Sequence, residues 1–199
     1  MLILGIDSSG LTAAAALCEN GKILSSAYSC NQLTHSEKLL PLIDRVLQEV
    51  DGKPDGIAVA CGPGSFTGLR IGLAAVKGLA YPQNKPCVPV STLEALAYNL
   101  AGFKGILCPV MDARCSQVYT ALFESNGREI RRLTGDAGIS LEDLDNLLKK
   151  QAGEIFLVGD GAELCYNKLE KNLELTLAPA HLLYQRGSGV CYAALSKAD

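Results

Sequence analysis

The chain has 199 residues, 48% of them hydrophobic, which is enough to fill the core of one large domain or two small lobes and argues against disorder. Its 18 basic and 21 acidic residues leave a net charge of -3, so it lacks the positive field of an autonomous nucleic-acid binder, and any RNA it serves is expected to be held by another subunit. Met1 leads straight into Leu2-Ile3-Leu4-Gly5-Ile6 with no basic stretch or cleavage site, and no apolar run approaches the ~18 residues of a membrane span; a cytoplasmic protein with no membrane partner is expected.

Leu2 to Asp7, Thr12 to Cys18 and Ile23 to Tyr28 read as three strands, with Asn20-Gly21 as a tight hairpin between the last two. Thr34-His35-Ser36-Glu37 has the spacing of a capping box and predicts a helix carrying Leu39, Ile43, Val46 and Val50 at helical intervals. Pro41 either kinks that helix or marks its first turn. Gly56 to Cys61 is apolar enough for a buried strand, Gly62-Pro63-Gly64 ends it, and Thr67 to Ala80 follows as an almost wholly apolar helix. Pro86 to Val90 is a further strand and Thr92 to Leu100 a further helix, so the first lobe is βββαβαβα.

Near Gly105 the pattern restarts. Ile106 to Met111, Gln117 to Phe123 and Arg128 to Leu133 read as strands, and Asn126-Gly127 supplies a second hairpin. Glu154 to Val158 then runs into Gly159-Asp160-Gly161-Ala162, again a strand delivering a glycine turn before a helix. A repeated meander followed by alternating helices and strands is the plan of the α/β actin, sugar kinase and chaperone ATPase superfold, with two lobes and a cleft between them. The lobes are placed at 1–103 and 104–199, the second one reduced. Gly187 and Gly189 weaken the terminal helix, which is a candidate to pack on the first lobe.

The run Gly62-Pro63-Gly64-Ser65-Phe66-Thr67-Gly68-Leu69-Arg70-Ile71-Gly72 is the densest motif in the chain. It is neither a Walker loop, which needs Gly-Lys-Ser/Thr where Thr67-Gly68-Leu69 stands, nor a dinucleotide fingerprint, which needs glycine at Thr67. A packing turn is favoured, and a phosphate cradle at the helix N-terminus stays open. Asp7 admits the same two readings: a ligand of metal-bound nucleotide, or, with Ser8 and Ser9, a partner of its own hairpin turn, the favoured one. Asp7, Ser8, Ser9, Gly62, Gly64 and Asp112 are together the candidate remnant of a nucleotide cleft. His35 is read as a residue of a helix start rather than a catalytic base, and Asp112 with Arg114 as a local ion pair or a partner contact.

The cysteines, Cys18, Cys30, Cys61, Cys87, Cys108, Cys115, Cys165 and Cys191, stand singly without a CxxC pair. They are read as reduced small hydrophobes, and with only His35 and His181 to supplement them no metal motif is visible. No catalytic triad can be assigned by spacing.

Four stretches together resemble the TsaB (YeaZ) family, the bacterial partner of TsaD in making threonylcarbamoyladenosine beside the tRNA anticodon. They are Leu4-Gly5-Ile6-Asp7-Ser8-Ser9, His35-Ser36-Glu37-Lys38-Leu39-Leu40-Pro41, the Gly62 to Gly72 run, and Met111-Asp112-Ala113-Arg114 with Gln117-Val118-Tyr119. The resemblance implies a noncatalytic scaffold or activator that binds TsaD, meets the TsaE ATPase through that complex, contacts tRNA only indirectly and also forms homodimers. TsaD-type relatives carry a His-x-x-x-His metal pair where this chain has Thr92 and Leu96, and a Ser-Gly-Gly turn where it has Met111-Asp112-Ala113-Arg114. No metal and no cofactor are therefore expected, and nucleotide binding at most weakly. Members of that family commonly carry a further segment with a Tyr-Leu-Arg-like motif, a part of the pattern that these 199 residues do not include.

Helix Thr67 to Ala80 has Arg70 and Lys77 as its charged members, and one sheet cannot bury the rest of its circumference. Gly68 and Gly72, one turn apart, would let another backbone approach. Leu39, Ile43, Val46, Gly68, Arg70, Ile71, Gly72 and Val76 are accordingly the candidate partner interface, the alternative being that both helices are internal. Competing functions are a nucleotide-dependent phosphotransferase using Asp7 and the Gly62 turn, a separate regulatory homodimer and, more weakly, a metallopeptidase.

Overall fold

The computed structural model describes residues 1–30, 35–169 and 173–197; Thr34, and with it the expected capping box, lies outside them. The chain divides into two compact units, Met1–Ala95 with Gln185–Asp199, and Leu96–Tyr184. The division thus falls after Ala95 rather than after residue 103, and the last segment returns to the first unit. Among the described residues no helix is long and apolar enough to cross a membrane.

The first unit opens with β1 (Leu2–Asp7), β2 (Ala13–Glu19) and β3 (Lys22–Ser29). It continues with α1 (His35–Gln48), β4 (Gly56–Ala60), α2 (Phe66–Ala80), β5 (Cys87–Val90) and the start of α3 (Thr92–Tyr98). The sheet order is β3-β2-β1-β4-β5, antiparallel from β3 to β1 and parallel from β1 to β5. Alternation along the strands sends Leu4, Ile6, Ala13, Ala15, Leu17, Ile57 and Val59 to one face, where Leu39, Ile43 and Val46 of α1 and Val76 and Ala80 of α2 cover them. Helix α1 starts at His35, so Pro41 stands beyond the first turn. Asn20 and Gly21 both have positive φ, as the tight β2–β3 hairpin requires.

The opposite face of that sheet is covered by a helix from the far end of the chain. There Ala16 and Cys18 of β2 pack against Cys191 of the C-terminal helix (Gly187–Leu195). The approach is set by a reciprocal pair of glycines: a Cβ on Gly5 would lie 2.4 Å from Gly187 O, and one on Gly187 would lie 2.5 Å from Ala15 C and Ala16 N. Gly187 therefore does more than weaken its helix; it lets the helix backbone touch the sheet. Both sheet faces are covered, which explains why β1, β2 and β4 read as nearly continuous apolar runs.

The second unit contains β6 (Lys104–Arg114), β7 (Gln117–Thr120), β8 (Phe123–Asn126), β9 (Ile130–Arg132) and β10 (Ala137–Ser140), then α4 (Leu141–Leu148), β11 (Ile155–Val158), α5 (Ala162–Lys168) and β12 (Leu175–Leu177). The C-terminal helix of the first unit is accordingly α6. The main path of the second sheet is β10-β7-β6-β11-β12. Its first strand, β6, is antiparallel to β7 and parallel to β11, as β1 is antiparallel to β2 and parallel to β4.

The single strand expected over Gln117 to Phe123 is two. Leu122 N donates to Thr134 Oγ1 (2.8 Å), and Leu133 N donates to Leu122 O (2.8 Å). These bonds divert the backbone, so that β7 pairs with the outer half of β6 and β8 with its inner half. Elements β10, α4 and β12 were not anticipated from the sequence, although α4 has an audible start: Ser140 Oγ accepts from Asp143 N at 3.0 Å.

Candidate functional site

Strand β1 delivers Asp7, Ser8 and Ser9 into a buried turn of the first unit. Asp7 Oδ1 accepts from Ser9 N (2.8 Å) and from Ser9 Oγ (2.6 Å), the local bonding that short polar side chains give a turn. The glycine-rich run then closes on this turn from the other side. Ser8 Oγ donates to Gly68 O (2.8 Å), and Ser65 N donates to Ser9 O (2.7 Å). Added Cβ atoms would lie 2.3 Å from Ser9 O at Gly64, 2.0 Å from Ser8 O at Gly68 and 2.6 Å from Ser8 Oγ at Gly72. The three glycines are the footprint of Ser8 and Ser9 on the start of α2.

Two amides of that helix start, those of Gly68 and Leu69, are occupied internally. Ser65 caps α2, its Oγ accepting from Gly68 N at 3.2 Å, and Leu69 N donates to Ser65 O. Gly62 O accepts from Thr92 N at 2.8 Å, across a cis Gly62–Pro63 peptide. His35 ties α1 to the same turn, its Nε2–H donating to Gly10 O at 2.8 Å. Behind it, Thr12 Oγ1 donates to Gln185 O (2.8 Å), and the Gln185 side-chain amide lies against Gly10. Gln185 escaped the sequence reading because its neighbours are distant in the chain.

Asp112 belongs to the second unit, near the end of β6, the strand that holds there the place of β1. Its backbone amide faces Asp160 Oδ1 at 3.3 Å, and its own Oδ1 accepts from Arg114 N at 2.7 Å. The Asp112–Arg114 contact thus runs through the backbone amide of Arg114. Burial pushes the Asp160 carboxyl up to about 6; hydrogen bonds from backbone amides work against that rise, and the neighbouring Asp112 charge adds to it. Among the described residues no three His, Cys, Asp or Glu side chains are arranged to hold a metal. Thr92 and Leu96 are both buried.

The candidate interface needs correcting. Leu39, Ile43, Val46 and Val76 are buried in the core of the first unit, and Gly68 and Gly72 are pressed against Ser8. These six positions form the inward faces of α1 and α2, because the sheet takes up the apolar stripe that the sequence offered to a partner. Ile71 is half-buried, Arg70 is exposed, and Val50 lies beyond the end of α1.

The outward face of α2 is a different set. Phe66 is 71% exposed, Leu73 36% and Tyr81, just past the helix, 90%. With Arg70 and Lys77 they follow one another at intervals of three or four residues and so form one stripe. The Arg70 guanidinium sits 4.8 Å from the Phe66 ring centroid. The sequence carries only a partial signal for this face: Arg70 and Lys77 mark two solvent-facing points of the helix but do not rank the apolar residues around them.

The model of the family described as TsaD: tRNA N6-adenosine threonylcarbamoyltransferase matches residues 29–180. The tRNA threonylcarbamoyladenosine biosynthesis protein TsaB of Bacillus subtilis (strain 168) is 33% identical over 173 residues, 85% of this chain and 76% of that protein. The solved structure of YeaZ from Pseudomonas aeruginosa is 25% identical, superposes with a TM-score of 0.79 and is covered to 93% by the whole of this chain. A ROK hexokinase from Thermus thermophilus, 14% identical with a TM-score of 0.50 and 98% of each chain covered, shares the fold alone.

Proposed function

Because the chain belongs to the TsaB (YeaZ) family and is related to TsaD, we propose that it is a noncatalytic subunit of the machinery that makes threonylcarbamoyladenosine on tRNA. It binds TsaD, reaches TsaE through that pair and supports transfer of the threonylcarbamoyl group to adenosine beside the anticodon without holding the reacting groups itself. The observation that carries this reading is the outward stripe of α2. Phe66, Leu73 and Tyr81 expose apolar surface in one line while Arg70 and Lys77 supply charge for orientation, the composition of a helix that completes its burial on a partner.

The turn site supports the same conclusion. Asp7, Ser8, Ser9, Gly62 and Gly64 are read as a remnant nucleotide cleft whose donors and acceptors now serve one another, with Asp112 as the matching residue of the second sheet. The common order of the two sheets is read as a duplicated lobe. Buried Thr92 and Leu96 on α3 offer no imidazole where TsaD-type relatives carry their metal pair.

The test is reconstitution of threonylcarbamoyladenosine on tRNA with TsaD, TsaE and the adenylate-forming enzyme, with and without this chain, while light scattering follows complex formation. The expected result is modification that depends on the chain and a stable complex with TsaD. Full modification without the chain, together with no association, overturns the proposal.

A further inference from the structure

Each unit holds two neighbouring buried cysteines, in different electrostatic settings. In the second unit, burial pushes both Cys108 on β6 and Cys165 on α5 up to about 12, which keeps them as inert thiols. In the first unit Cys18, near the end of β2, points to the α6 face, where it shares a small cluster with Ala16 and Cys191. Cys191 Sγ donates to Ala16 O at 3.6 Å and to Ile3 O at 3.8 Å, which holds it against the strand that carries Cys18. Gly5 makes the room, since a Cβ there would stand 2.6 Å from Cys191 Sγ. Opposite Cys18 the β2–β3 pairing slips by one residue at Leu24, a bulge of the kind that re-aims a neighbouring side chain. Interaction with the Cys191 thiol, helped by the Gly21 amide, outweighs burial and brings Cys18 down to about 7, while interaction with Cys18 and burial push Cys191 well above the ordinary thiol value. Tyr192, beside them, is raised by burial and by both sulfurs.

We propose that Cys18 and Cys191 are a peroxide-responsive dithiol that closes to a disulfide and staples α6 to the sheet of the first unit. The Cys18 thiolate attacks one oxygen of hydrogen peroxide, the O–O bond breaks and hydroxide leaves, giving a sulfenic acid. Cys191 surrenders its proton to that hydroxide and attacks the Cys18 sulfur; the S–O bond breaks, and the departing hydroxide takes up a proton as water. In sum, two thiols and one peroxide, the oxidant, become one disulfide and two waters. The bond would also fix the segment leading into α6, where the Gln185 carbonyl accepts from Thr12 and the Gln185 side chain lies against Gly10. The inference does not depend on the partner role proposed above.

The test uses the full chain with the exposed cysteines Cys30, Cys61, Cys87 and Cys115 replaced by serine, treated with hydrogen peroxide near neutral pH, alkylated in denaturant, digested and read by mass spectrometry. A peptide joining Cys18 to Cys191, reversed by dithiothreitol and formed more than about tenfold faster than any Cys108–Cys165 link, is expected from the difference in thiolate character. Cys18 and Cys191 remaining fully alkylated, or both pairs linking at equal rates, overturns the proposal. In a Cys191→Ser variant, whose hydroxyl keeps a donor beside Cys18 but cannot close a disulfide, Cys18 should stop at the sulfenic acid and form a dimedone adduct; absence of the adduct in the folded variant also overturns the proposal.

Discussion

Ser8 accounts for two of the glycines that make the Gly62–Gly72 run conspicuous: its carbonyl occupies the space of a side chain at Gly68, and its hydroxyl that of one at Gly72. Gly68→Ala should therefore cost about 2–3 kcal/mol, the range of an overpacked core in which backbone must move, seen as a lower urea midpoint with an unchanged slope. Ser65→Ala, which removes the α2 cap, should cost about 1 kcal/mol in the same measurement. Asp160 gives a pH dependence of known sign. Its folded carboxyl titrates at about 6 against an ordinary 3.8, so the folded state holds the proton more tightly and stability falls as pH rises through that window, then levels off. After allowance for partial exposure the loss is about 1–2 kcal/mol. Asp160→Asn, which can still accept from Asp112 N, should flatten the slope between pH 4 and 6 and stabilise the protein at pH 7; equal slopes in both proteins would contradict this assignment. The aspartate-serine turn was readable in the sequence because its bonds are local. The shift at Asp160 was not, since it depends on burial and on Asp112, a residue far back in the chain.

At the scale of the element, α2 separates into a folding face and a free face. Val76→Glu places a charge in the core of the first unit and should cost more than about 3 kcal/mol, appearing as loss of folded protein. Leu73→Glu and Tyr81→Glu alter the outward stripe and should shift the denaturation midpoint by less than about 0.5 kcal/mol, yet weaken association with TsaD in light scattering by at least tenfold. Unaltered association in both would remove α2 from the interface. The periodicity of the sequence marks a helix with apolar residues around most of its circumference. It could not rank the faces, because alternating Leu, Ile, Val and Gly surround nearly the whole circumference and the sheet selects among them only in three dimensions. The same limit explains β7 and β8: Gln117 to Phe123 is uniformly strand-like, and the break at Leu122 comes from its bonds to Leu133 and Thr134.

For the whole molecule, the return of α6 is the decisive long-range event. Gly5→Ala should destabilise the first unit by about 2–3 kcal/mol, measurable as a lower thermal midpoint, because the new methyl would meet Gly187 O and Cys191 Sγ together. A ledger of local signals determined much of this protein from the sequence alone: the strand-helix order of the first unit, the two Asn-Gly hairpins, the glycine turn and the family, each encoded in residues close together along the chain. Tertiary structure alone decided that the last segment joins the first unit, which face of α2 is free, and that Cys18 meets Cys191. Those outcomes depend on contacts between residues up to the length of the chain apart, where hydrophobic periodicity specifies that a face must be buried but is silent about what will bury it.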